Sequence, residues 1–251
     1  MKGTIIILLI LINGNFLFSQ TVNLQKVESE FILEFQNYRN SDYDTRFSSL
    51  RPKLRNKIEN ILSSTNSQEY PFDSLSKYMR IIKSNDNKVR IFSWDELTGG
   101  TWHDMAVIIQ FKNNKNILTT QWIDSDISEE PTGITDAIQY EIYDVEINKK
   151  PHYLCFGWGT YGGGHHHNSI LIFSIENDSL KFCSNCIEKD YSIIQAPRNT
   201  KINLKYEKTE EVISFNEFKY DNEIGFFMPT GKTVNLKLKN NKYQKYNTSH
   251  P

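Results

Sequence analysis

The feature that most constrains this chain is a change in hydrophobic period near residue 70. Before it, apolar residues recur every three or four positions; after it, they alternate or form short runs between turn residues. Leu24, Val27, Phe31, Phe35 and Tyr38 lie on one helical face that Asn40-Ser41-Asp42 ends. A second face carries Leu50, Leu54, Ile58, Ile61 and Leu62, with Ser48 or Ser49 as cap and Pro52 in the first turn. The polar stretch Ser63 to Gln68 closes the helical part.

Strand-like runs follow at 79–83, 88–94, 105–111, 117–123, 137–147, 152–158, 169–175, 202–206, 212–220, 224–228 and 233–238. Ser84-Asn85-Asp86-Asn87, Asn113 to Asn116, Asn148 to Pro151, Asn177-Asp178-Ser179 and Asn240-Asn241 read as short turns. The expected fold class is mainly β. It is an antiparallel meander, closed as a barrel, stacked as a sandwich or arranged as propeller-like blades, preceded by two N-terminal helices. The organisation read from the sequence is a signal over 1–19, a helical segment over 20–67 and a β domain over 68–251. Arg90 to Asp95 and Leu171 to Glu176 echo one another as an apolar strand closed by an acid.

Lys2 precedes an apolar run from Ile5 to Ile12, and Asn13-Gly14-Asn15 interrupts it. That pattern predicts a secretory signal, cleaved after Ser19 with Gly14 as the alternative. A spanning helix needs about 20 apolar residues, so no stable membrane anchor is expected. The expected destination is the periplasm or the medium. With 29 basic and 30 acidic residues, the net charge of -1 gives no electrostatic case for nucleic acid.

Cys155, Cys183 and Cys186 are an odd set. Cys183-Ser184-Asn185-Cys186 reads as a disulfide across a small turn or as two free thiols, and Cys155, between Leu154 and Phe156, as a core residue. The pair does not open a helix, as a catalytic redox pair usually does.

Two glycine-rich loops carry the candidate chemistry: Gly99 to His103, and Gly157 to His167. His165 and His167 would share one face of a strand, and His103 is the third candidate ligand of a zinc site, with Asp95 or Asp104 as a carboxylate. Trp94, Asp95, Trp102, Trp158 and Tyr161 gather around the same loops and would suit a sugar or another flat polar ligand; the alternative is that the tryptophans cover the core. There is no nucleophile elbow, zinc helix, phosphate loop or dinucleotide fingerprint. Glu129-Glu130 before Pro131 reads as an exposed loop.

The segments KVRIFSWDELTGGTWHD and YLCFGWGTYGGGHHHNSILIFSIENDSLK resemble those of uncharacterised exported bacterial proteins with a helical N-terminal region and a strand-rich body. The resemblance implies export and a β-architecture, and it brings no activity. Two functional expectations stand: a non-enzymatic binding or interaction module for an unknown ligand or envelope component, and a metal-dependent hydrolase built on the histidines.

Overall fold

The computed structural model describes residues 23–123 and 136–246. The signal expected over 1–19 and the Glu129-Glu130 loop lie outside them. The first helix, α1 (Leu24–Asn40), is capped by Asn23, whose side-chain oxygen accepts the Lys26 N–H at 3.1 Å. After Ser41 and Asp42, helical backbone resumes through α2 (Tyr43–Thr45), a π turn (Arg46–Leu50) and α3 (Arg51–Ser63). The two separate N-terminal helices expected from the sequence are therefore one joined stretch, interrupted only at Ser41-Asp42.

The expected cap at Ser48 or Ser49 is replaced by Asp42, which accepts the Thr45 N–H at 2.9 Å. Ser48 and Ser49 instead donate back to the Asp44 and Thr45 carbonyls, inside the joined run. Pro52 explains the π turn. Proline has no N–H to donate and its ring crowds the preceding turn, and widening that turn relieves the conflict.

The rest of the described residues are mainly β, in three antiparallel sheets, none of them closed among those residues. The first holds β1 (Arg80–Lys83), β2 (Val89–Asp95), β3 (Met105–Lys112) and β4 (Leu118–Trp122), paired in chain order. The second holds β5 (Ile138–Ile147), β6 (Lys150–Tyr161), β7 (His165–Glu176) and β8 (Ser179–Phe182), with β9 (Ile193–Pro197) also paired to β7. The third holds β10 (Lys205–Glu207), β11 (Val212–Asp221), β12 (Phe226–Lys239) and β13 (Lys242–Lys245). The runs at 224–228 and 233–238 form one strand, β12, with a register shift opposite Asn216 and Phe218. Asparagine supplies the tight turns: Asn148-Lys149 and Asn240-Asn241 both take positive φ, the two-residue geometry that matches the strand twist.

Side-chain alternation fixes how the layers stack. In the first sheet, Ile91, Val107, Ile109 and Phe111 face Tyr153, Cys155, Leu171 and Phe173 of the second. Phe92, Trp94, Ala106 and Ile108 point the other way, against Phe31, Phe35, Leu54 and Ile58 of the helices. In the second sheet, Leu154, Phe156, Ile170 and Ile172 pack on Ile213, Phe215, Val234, Leu236 and Tyr243 of the third. The order is helices, sheet, sheet, sheet, and the middle sheet is buried on both faces. Its central strands therefore read as continuous apolar runs. The echo at Arg90 and Leu171 falls on the second strand of one sheet and the third of the next, which are not equivalent places.

Trp94 is corrected by this stacking. It is 1 % exposed and meets Phe35 and Trp122 edge-on at 6.0 and 5.8 Å, so it is a core residue and no ligand contact. On the same side, the buried Arg90 guanidinium bonds Gln110 Oε1, the Tyr70 carbonyl at 2.7 Å and the Ser67 carbonyl. Burial lowers its pKa to about 10. This pair ties the end of α3 to the sheet, because Gln110 also donates to the Leu62 carbonyl at 2.6 Å.

Truncating Phe156, which is fully buried between the second and third sheets, tests the layering. Phe156→Ala is expected to lower unfolding free energy by about 3–5 kcal/mol in a urea titration, with the m-value unchanged.

Candidate functional site

The two glycine-rich loops meet at the end of the stack where β2 and β6 finish and β7 begins. A cleft of about 600 Å³ opens there, bordered by Gly100, His103, Trp158, Thr160, His166 and the turn from Arg198 to Lys201. The loops are stitched together. The His103 N–H donates to Thr160 Oγ1 at 2.8 Å, and the Arg198 guanidinium donates to the Thr101 carbonyl at 2.8 Å. The Arg198 N–H also reaches the Gly164 carbonyl at 2.8 Å.

His103 Nδ1 lies 2.8 Å from Asp95 Oδ2. The Asp95 carboxylate also accepts the Leu97 N–H at 2.7 Å, which fixes it at the end of β2. A carboxylate on Nδ1 favours the tautomer with its proton there, leaving Nε2 with the lone pair. The helices hold this corner from behind. The Glu96 carboxylate, almost fully buried, pairs with Arg51 and, at 3.6 Å, with Arg55. Tyr38 donates its hydroxyl to the Glu96 carbonyl at 3.0 Å, and Arg46 reaches the Leu97 carbonyl at 2.8 Å.

Trp158 is 37 % exposed and donates its indole N–H to His166 Nδ1 at 3.2 Å. Trp102 is 41 % exposed, and its N–H goes to Asp136 Oδ2 at 3.0 Å, while Asp136 Oδ1 accepts the Met105 N–H. Tyr161 closes β6, and its side chain lies outside the described set.

The histidines do not assemble as a zinc set. In the β6–β7 pairing, His166 sits opposite Thr160, while His165 and His167 sit opposite Tyr161 and Gly159. Alternation therefore sends His166 to the cleft with Thr160 and Trp158, and His165 and His167 to the other face. His165 stacks on Phe226 with ring centroids 4.4 Å apart, and His167, 1 % exposed, lies against Gly159. Among the described residues, His103, His165 and His167 do not bring their ring nitrogens within reach of one ion. The expected disulfide is formed between Cys183 and Cys186, and Cys155 is a buried free thiol.

The strand glycines serve packing within the chain and not close approach to a ligand. A Cβ on Gly159 would collide with the His167 ring and come within 2.7 Å of the Asp136 carbonyl. One on Gly157 would collide with Ser169, Ala137 and Gln139. Gly163 and Gly164 take φ of 71 and 85°, which the tight hairpin turn requires.

Sequence reading missed Thr160, Arg198 and Lys201 as cleft residues. Arg198 stands in a stretch with no local pattern, and only the pairing of β9 with β7 carries it to the hairpin. No protein-family model, curated protein or solved structure matches the chain.

Two outcomes test this geometry. Gly159→Ala is expected to cost about 1–3 kcal/mol by overpacking, whereas Gly162→Ala, with open space around it, stays within about 0.5 kcal/mol of wild type in the same denaturant titration. His166 supplies the second. Burial chiefly, then the charges of Arg198 and His165, lower its pKa from the ordinary 6.5, against an opposing Thr200 backbone contact. The unfolded chain thus takes up the proton first, so this group's contribution to stability is full above about pH 6.5 and declines as pH falls through it. Protonation also removes the lone pair that receives the Trp158 N–H. Tryptophan fluorescence should change with a midpoint below pH 6.5, and Trp158→Phe should abolish that transition.

Proposed function

We propose that the chain is an exported, non-enzymatic binding module of the cell envelope whose cleft takes an acidic saccharide. The observation that carries this reading is the cleft's lining. The exposed Trp158 indole offers a flat apolar face, Arg198 and Lys201 add two cations, and no Asp or Glu lines the cleft among the described residues. An indole face suits the apolar side of a sugar ring, and a guanidinium matches a carboxylate in two-pronged fashion. His103, His166 and Thr160 add hydrogen-bonding groups around the ring. The export pattern at Lys2 to Ser19 supports an envelope ligand, and the near-zero net charge fits a local anion site better than a polyanion-coating surface.

Titration with uronic-acid oligosaccharides, followed by tryptophan fluorescence, tests the reading against their neutral counterparts. Binding should favour the acidic series, weaken with salt, and fall at least tenfold in both Trp158→Ala and Arg198→Ala. No saturable binding to either series, or equal binding to both, would overturn it.

The His103–Asp95 pair favours a second reading, hydrolysis with His103 Nε2 as general base toward a water. Steady release of reducing ends from the same oligosaccharides, lost in His103→Gln, would replace the first reading with this one. A zinc-dependent form through His103, His165 and His167 has no support from their placement on two faces.

A further inference from the structure

Toward the opposite end of β6 from the cleft, three side chains come together that the proposed binding function does not use. The ligand atoms of His152, Cys183 and Cys186 all lie within 4.8 Å of one another. We infer that, once the Cys183–Cys186 disulfide is opened, these three residues form a binding site for a soft divalent cation of the zinc type.

The ligand chemistry matches. Two thiolates and one imidazole are a familiar donor set for zinc, and the two-residue spacing of Cys183 and Cys186 is that of zinc knuckles. A tetrahedral ion holds such ligand atoms roughly 3.3–3.8 Å apart, so side-chain rotation alone brings the set into place. His152 is already oriented. Its Nδ1 lies 3.0 Å from the Lys150 carbonyl, which accepts the proton there and leaves Nε2 as the ligand nitrogen. His152 as a whole is 8 % exposed, on a strand fixed by pairing with Val145.

The knuckle is held by more than its sulfur bridge. The Cys183 N–H donates to the Ile172 carbonyl at 2.8 Å, which pins it to β7. The Cys186 N–H closes the turn on the Cys183 carbonyl at 3.1 Å, and the Cys186 carbonyl accepts the Tyr243 N–H at 2.7 Å, which pins it to the third sheet. Breaking the disulfide leaves these backbone bonds in place, so the thiols stay near His152. Three protein ligands leave a fourth position open for water or an incoming group. A cleft of about 490 Å³, lined by Phe182 and Ile193 and also by Lys189 and Lys242, borders Cys183.

The chemistry is a gate. A dithiol reductant supplies two electrons and two protons and becomes a disulfide, or a phosphine supplies the electrons and takes its oxygen from water, which also supplies the two protons. Either way the S–S bond breaks and two thiols form. Each thiol then releases one proton as its sulfur bonds the cation. The oxidised pair has no thiolate to offer, so metal binding reports the redox state of the pair.

Cobalt(II) is the probe, because thiolate ligation gives it an intense sulfur-to-metal charge-transfer band. Untagged protein is reduced with a phosphine, desalted without oxygen and titrated with Co2+. One equivalent should bind with the band in reduced protein and none in oxidised protein. Cys183→Ser should lose the band, His152→Ala should weaken binding at least tenfold, and Cys155→Ser should behave as wild type. In the wild-type chain, the His152 imidazole resonances should shift on adding Zn2+, a readout that depends on no variant. Absence of the band in reduced wild type, an equal band in oxidised protein, or unmoved His152 resonances would overturn the inference.

Discussion

Everything in this molecule hangs on the pairing of β6 with β7. These two twelve-residue strands run through the middle sheet, and both of their faces are covered by other layers. Tyr153, Cys155, Leu171 and Phe173 join one core; Leu154, Phe156, Ile170 and Ile172 join the other. A one-residue slip would exchange these two sets and carry Gly157 and Gly159 away from the neighbours they accommodate. The same register decides which histidines face the cleft. Stability and site geometry therefore rest on one hydrogen-bond ladder.

The helices act on the site through the end of β2. Glu96 is buried between Arg51 and Arg55, while its neighbour Asp95 holds His103. A buried ion pair of this kind is weak evidence for net stability, because desolvation offsets much of the attraction. Its clear effect is placement: it fixes the β2 terminus against α3, with Tyr38 and Arg46 gripping the backbone on either side. Arg90 and Gln110 do the same for the far end of α3. The helical layer thus serves as a brace for the first sheet and, through it, for the loop that carries His103.

Much of this was legible residue by residue. The helical stripe from Leu24 to Tyr38, the asparagine turns and most strands follow from periodicity and turn chemistry, which are local. The spacing of Cys183 and Cys186 allowed a disulfide across a small turn or two free thiols, and the structure forms the disulfide. Three strands escaped notice: β8, β9 and β13 are short, and their order comes from partners elsewhere in the chain. The π turn escaped too, since Pro52 was legible as a first-turn residue but the helical backbone upstream of it was not. Of the site, Asp95, His103 and Trp158 were visible as unusual residues beside glycines. Thr160, Arg198 and Lys201 were not, because no short-range pattern distinguishes a lining residue from any other polar one.

By itself, the sequence determined the elements: where helix gives way to strand, where the turns fall, and that His165 and His167 share a face apart from His166. Those are consequences of backbone period and steric preference, which act over a few residues. Only the tertiary structure decided that Trp94 belongs to a core while Trp158 borders a cleft, that His103 finds Asp95 and not His165, and that His152 meets two cysteines some thirty residues away. Those outcomes depend on which sheet face meets which layer, and burial of apolar surface between distant segments settles that question.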